Sequence, residues 1–389
     1  MEKTKIMRDS NFELMRITSM FFIIIYHIIL HICSIYSYDM STLTNIILKY
    51  IIAIVIVHVN SFVIITGYFQ CEKKCKMSKV VSLNNAVWFY GILFLIIALV
   101  LRDKYNFSLV YPISNLDVFK TILPLDFGNY WFIDCYFILY LLAPILNKII
   151  SSYNQKNFLK LIIGLSILFS IIPTITVDGV IYTKAGHSIA NFILLYFIGA
   201  YLKLYPINKN KILSKLSNIA NRTIYVIMFF SLAFITVLFY TMAKHLTNTN
   251  ENEIVHFFSD VFFNFYNSFG SPIIILQSIV YFLFFSTIHI KNRIINKIST
   301  TVFGIYLIHE NIHVRDNLYG LITTFNVTHF GFHQIIMVFV IAFIIFFICS
   351  IMEMLRQTIF KFIYNRKISS IIRNKVKDYF KSINININW

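Results

Sequence analysis

Charge is what this chain has least of. Only 13% of its 389 residues are Asp, Glu, Lys or Arg, against 58% hydrophobic, and mean hydropathy is +0.72. Soluble domains carry about 25% charged residues, so a water-soluble fold is excluded and a polytopic membrane protein is implied. Proline (6) and glycine (11) are too sparse for a Pro/Gly-rich linker. Neither an internal repeat nor an additional soluble domain is visible. Acidic residues are the scarcer sign, 17 against 34 basic, for a net charge of +17. Those cations sit between apolar segments rather than on one soluble face. That excludes nucleic acid as a partner and favours anionic lipid headgroups or a polyanionic ligand at the membrane surface.

Cysteines number five (Cys33, Cys71, Cys75, Cys135, Cys349), an odd set that builds no disulfide framework. Cys71 and Cys75 flank EKK in a loop that offers too few ligands for zinc. No metal site is expected. The first 30 residues have a basic start but no small-residue cleavage site, and Arg16 interrupts the apolar run. They read as a retained first helix.

Long apolar runs are what the chain does have. They recur near 12–33, 45–69, 82–101, 130–149, 159–175, 189–204, 223–242, 270–288, 299–313 and 334–358, about ten crossings. Loops holding Lys73, Lys74, Lys76 and Lys79, or Lys203, Lys209 and Lys211, alternate with loops marked by Asp39, Asp178 or Glu251. The positive-inside rule then puts both termini in the cytoplasm. The expected architecture is an all-α transmembrane helical bundle over residues 1–360. A basic amphipathic tail, 361–389, would lie on the inner leaflet.

The first apolar run carries two ionisable groups, Arg16 and His27, eleven positions apart. Eleven steps of 100° return a helix to within roughly 20° of its start, and the rise separates the two by about 16 Å. They therefore point the same way, one near the cytoplasmic mouth and one deep in the bilayer. Buried ionisable groups are costly and by default mark a site. Imidazole suits removal of a proton from a hydroxyl near neutral pH. Guanidinium suits phosphate, because it is always charged and donates in a fork. The bland alternatives are a packed histidine for His27 and, for Arg16, an interfacial anchor or a partner of Glu13. His31 continues the stripe one turn on. His58 and Asn60 interrupt the second run, Trp131 and Asp134 open the fourth, and His309, Glu310, Asn311 and His313 form the densest polar cluster at a membrane boundary.

Four stretches in order match a known family. NFELMR (Asn11–Arg16) with the Arg-X10-His spacing, NSFVIITGYF (Asn60–Phe69), YWFIDCYFILYLLAPIL (Tyr130–Leu146) and FGIYLIHE (Phe303–Glu310) resemble the membrane-bound acyltransferase-3 family. Its members O-acylate sugars and surface polysaccharides. The resemblance spans about residues 8–358 and implies transfer of an acyl group, usually acetyl, from cytoplasmic acetyl-CoA to a glycan hydroxyl. No permanently bound cofactor is expected. It carries over Arg16 and His27 as the functional pair, and Gly67, Tyr68, Tyr306 and His309 match motif positions.

On this reading Arg16, Lys73 and Lys74 hold the donor's phosphates, and His309, Glu310, Asn60, Trp131 and Tyr68 contact the acceptor. A fused extracytoplasmic transfer domain, found in some members, is not expected in this chain. Direct transfer to the glycan and hand-over to a partner protein both stay open. A proton-coupled transporter or a polysaccharide-export protein is the alternative. The Ile-, Asn- and Lys-rich composition suggests a low-GC bacterium, and hence a bacterial cell membrane.

Overall fold

The computed structural model describes residues 9–32, 43–105, 113–123, 130–177, 179, 181, 183–206, 218–249, 252–324 and 332–364. Cys33, Asp39, Asp178, Lys209, Lys211, Glu251 and the expected tail from 365 onward lie outside them. Every regular element among the described residues is helical. In hydrocarbon a helix satisfies its own backbone groups, which selects it for a chain this apolar.

Helix α1 (Asn11–Ile32) is followed by α2 (Leu43–Val55) and α3 (His58–Gln70), a single apolar run interrupted at Ile56–Val57. Next come α4 (Met77–Tyr105), the short α5 (Asn115–Ile122) and α6 (Trp131–Ser152). Helix α7 (Gln155–Ser166) continues through a π-turn (Ile167–Ile171) into α8 (Ile172–Thr176). A single 3₁₀ turn (Lys184–Gly186) precedes α9 (Ile189–Leu204). Then α10 (Asn218–Thr249) lies along both α11 (Glu253–Asn267) and α12 (Pro272–Ser286). Three short helices, α13 (Arg293–Ser299), α14 (Val302–His309) and α15 (Arg315–Thr324), lead to α16 (Phe332–Tyr364). Polar residues set the starts. Asn154 caps α7, Asn292 caps α13 and Ser188 caps α9 by accepting backbone N–H groups, and Pro272 stands in the first turn of α12.

Among the described residues, eight helical stretches are long and apolar enough to cross a membrane, with α9 a shorter apolar helix. The expected crossing at 299–313 is not one helix. Hydroxyls of Thr300 and Thr301 bond back to the carbonyls of Lys297 and Ile298, breaking the run at its start. At its end the Asn311 side chain accepts the N–H of His313. What is left, α14, is eight residues, about 12 Å at 1.5 Å per residue. At the other end of the chain, α16 continues four residues into the segment expected to be tail.

Helix α1 is the hub, packed against α2, α3, α12, α13, α14, α15 and α16. Behind it α3 and α9 touch backbone to backbone. A methyl at Gly67 would overlap the Tyr196 main chain, and one at Gly199 the Ile64 carbonyl. Helix α14 is clamped from outside. The buried carboxylate of Glu353 in α16 fits over Gly304, where a methyl would displace it. It accepts from Tyr90 of α4 at 2.6 Å and from Arg356 at 2.6 and 2.8 Å. Thus a helix too short to span is fixed in place beside α1.

Candidate active site

Arg16 and His27 open on the same space. A cavity of about 420 Å³ runs along α1 and is lined by both, together with His58, Phe132, Tyr306 and Glu310. Helical periodicity alone put the two side chains on one face; the packing of α3, α6 and α14 around that face makes it the wall of a passage.

At the His27 end the polar groups hold one another. His27 Nδ1 lies 2.9 Å from Glu310 Oε1 as an ion-pair contact and 3.4 Å from Nε2 of the fully buried His309. The His309 Nδ1–H donates to the Ile305 carbonyl at 2.6 Å, which leaves its Nε2 an acceptor. With acceptors facing Nδ1, the network assigns the proton of neutral His27 to Nδ1 and the free lone pair to Nε2. A carboxylate-oriented imidazole with one free nitrogen is the arrangement a general base needs. The same three side chains offer three ligand atoms within 4.8 Å of one another. Tetrahedral ligands held about 2.0–2.2 Å from zinc stand roughly 3.3 Å or more apart. The 2.9 Å contact has hydrogen-bond spacing instead.

At the Arg16 end the passage widens into a second cavity of about 460 Å³, which shares Glu13, Arg16, Thr66, Lys79 and Tyr136 with the first. Glu13 accepts from Arg16 at 2.8 Å and from the Ser299 hydroxyl, so the guanidinium is oriented by its own helix and by α13. The pairing with Glu13 and the cavity-lining position hold together. Lys73 and Lys203 join Arg16 and Lys79 around this mouth. Their ammonium groups sit 5.5 Å and 5.0 Å from the rings of Phe69 and Tyr68, a cation–π placement that steadies them without neutralising them.

A family model described as an acyltransferase domain matches residues 9–354. The chain belongs to the acyltransferase-3 family. Comparison with curated proteins and with solved structures finds no match. The protein is a membrane acyltransferase, and the cavity joining Arg16 to His27 is its candidate active site.

The residues expected in the acyltransferase's site divide into three groups. Arg16, His27, Glu310, Trp131, Tyr68 and Lys73 all line the joined cavities. His309 does not line them but backs His27 from the buried side. Asn60 and Lys74 are elsewhere. Asn60 is buried and donates to the Phe269 carbonyl at 2.8 Å, tying α3 to the α11–α12 junction, whereas Lys74 is exposed and absent from the cavity wall. His31, one turn beyond His27, stacks on Tyr319 at 4.6 Å and packs α15 against α1.

Lys79, Lys203 and His187 are among the lining residues not singled out as site residues from the sequence. Lys79 and Lys203 were read only as topology signals, and nothing local separates a lysine facing a cavity from one facing water. His187 lies in the turn before α9, with its ring 4.2 Å from Trp131. It stands in no recognisable motif.

Proposed function

We propose that the protein transfers an acetyl group from cytoplasmic acetyl-CoA to a hydroxyl of a cell-surface or exported polysaccharide, or of its lipid-linked precursor, in a bacterial cell membrane. One observation carries the reading. An oriented imidazole and an oriented guanidinium face a single passage, with a cationic mouth at the guanidinium end. Acyl-CoA is a polyanion with a long thin arm ending in the thioester. Arg16, Lys73, Lys79 and Lys203 provide the fixed positive charge for its phosphates. The stretch from Arg16 to His27, about 16 Å along the helix, accommodates the arm. By the positive-inside rule the lysine-bearing mouth is the cytoplasmic one, where acetyl-CoA is made.

The chemistry follows from the tautomer. His27 Nε2 accepts the proton of the acceptor hydroxyl while that oxygen attacks the thioester carbonyl carbon. The C–O bond forms, the C–S bond breaks, and the proton on His27 passes to the departing thiolate. Glu310, against Nδ1, stabilises the imidazolium between the two steps. The product is an acetyl ester and free coenzyme A, and no resident cofactor is needed. The test is transfer of labelled acetyl from acetyl-CoA in membranes. His27→Ala, at normal protein level, lowers transfer by about a hundredfold or more; full retention of transfer would sink the assignment.

A further inference from the structure

Helix α14 delivers His309 and Glu310 to His27 at one end. Its other end meets a polar stripe on α16 that takes no part in the chemistry. Ser350, Glu353 and Gln357, at i, i+3 and i+7, share one face of α16. Each of them meets the stretch where the apolar run at 299–313 breaks. The hydroxyls of Ser350 and Thr301 lie 2.9 Å apart, Gln357 Nε2 donates to the Thr300 carbonyl at 2.8 Å, and the Glu353 carboxylate fits over Gly304.

Glu353 is held more tightly than packing alone requires. One oxygen accepts from Tyr90 at 2.6 Å and from Arg356 Nε at 2.8 Å. The other accepts from Arg356 at 2.6 Å and from Gln357 at 2.8 Å. Engaged from α4 and from its own helix, the carboxylate has a single orientation. A buried ion pair of this kind adds little net stability, because desolvation offsets the attraction, and its best-attested use is to fix a register. What it fixes here is the seat of Gly304. A methyl on that residue would overlap the carboxylate, which its hydrogen bonds keep from swinging aside.

The seat bears on the reaction through α14 itself. Gly304 and Glu310 are six residues apart on one short helix and its cap, about 9 Å. The helix is closed by N–H donation from Ile305 to Thr301 and from Glu310 to Tyr306. Tyr130 ties the outer end by donating to the Leu307 carbonyl at 2.9 Å. A displacement at Gly304 therefore tilts α14 about that tie and moves Glu310 against α1. The Glu310–His27 contact is 2.9 Å. Hydrogen-bond contact is lost by about 3.6 Å, so a drift of about 0.7 Å is enough to break it.

We propose that Glu353 and Gly304 are positioning residues for the reaction: the fit of the carboxylate over the glycine sets the tilt of α14, and that tilt sets the contact of Glu310 with His27. The proposal rests on the reading of His27 as the base with Glu310 as its partner.

The test exchanges volume across the contact. Gly304→Ala lowers kcat for labelled acetyl transfer about tenfold to hundredfold, while the acetyl-CoA KM and acetyl-CoA binding to the same membranes stay within about twofold of the parent. Glu353→Asp, one methylene shorter, lowers kcat on its own by leaving the seat loose. Together the two substitutions restore kcat to near the parent value, because the added methyl occupies the space the lost methylene leaves. In a Glu310→Gln background Gly304→Ala costs much less than it does alone, since both act on one contact. Parental kcat in Gly304→Ala, no recovery in the double variant, or equal losses with and without Glu310→Gln overturns the proposal.

If Gly304→Ala does not accumulate, Glu353→Asp is measured alone and with Glu310→Gln. A lower kcat at parental acetyl-CoA binding, shrinking in the Glu310→Gln background, is expected, and parental kcat overturns the proposal. Full transfer by His27→Ala sinks the reading of the base and takes this proposal with it. Loss in His27→Ala with parental turnover in Gly304→Ala sinks this proposal alone.

Discussion

The two ends of the Arg16–His27 cavity are built differently. Around His27 the polar atoms are fixed by one another. Nδ1 faces Glu310 and His309, His309 is held by the Ile305 carbonyl, and α14 is pinned through Gly304 and Glu353. Around Arg16 the cations come from four separate helices or loops, and all three lysines lean on aromatic rings. Proton transfer tolerates little misplacement, whereas attraction between a polyanion and several cations is long-ranged and shared. The contrast teaches that damage at one end is concentrated and at the other distributed.

That contrast can be broken or sharpened by substitution. His27→Ala lowers the turnover of labelled acetyl by about 10²–10⁴-fold, the usual contribution of a positioned base. Donor affinity, measured by acetyl-CoA binding to the same membranes, stays near that of the parent. Glu310→Gln removes the carboxylate charge 2.9 Å from His27 Nδ1, and turnover falls on the order of tenfold to hundredfold. Equal losses in Glu310→Gln and Lys203→Ala would erase the distinction between the two ends.

Arg16→Lys keeps the charge but loses the fork. Its acetyl-CoA KM rises about tenfold, with a smaller change in kcat. A pure kcat defect would move Arg16 into the chemistry. Smallest are Lys79→Ala and Lys203→Ala, each raising the acetyl-CoA KM up to about fivefold at low salt and less at high salt. Lys74→Ala, outside the cavity wall, does neither. If Lys74→Ala behaved like Lys203→Ala, the mouth would be wider than the structure draws it.

How much of this was legible in the chain differs between the same two ends. The eleven-residue spacing in α1 was enough to align Arg16 with His27, because helical geometry is local. The run HENIH announced a polar cluster, and Glu310 proved to be on His27. That α14 is a half-length helix was not legible. Its limits depend on hydroxyl and amide side chains that compete for backbone groups, and Phe303–Glu310 reads equally well as part of a longer span. The cationic mouth was half visible. Lys73 was picked out with Lys74, its neighbour in sequence, yet its companions in space are Lys79 and Lys203. Only the packing of α3 against α9, with the start of α4 on the same cavity wall, reveals that.

The glycine contact between α3 and α9 also limits how the enzyme can move. Neither helix offers a side chain at the crossing of Gly67 and Gly199, so there is nothing there to slide or repack into a second arrangement. The pair behaves as one rigid strut, with Thr66 and Lys203 riding on it as fixed parts of the cationic mouth. Any breathing that admits or releases substrates then falls to the facing wall. There α13 and α15 are short and joined to α14 by turns, while α14 itself stays clamped by Glu353 over Gly304. Glu310 caps the clamped α14 and His27 sits on the hub α1, so their contact joins two fixed elements and survives movement of the turns on either side.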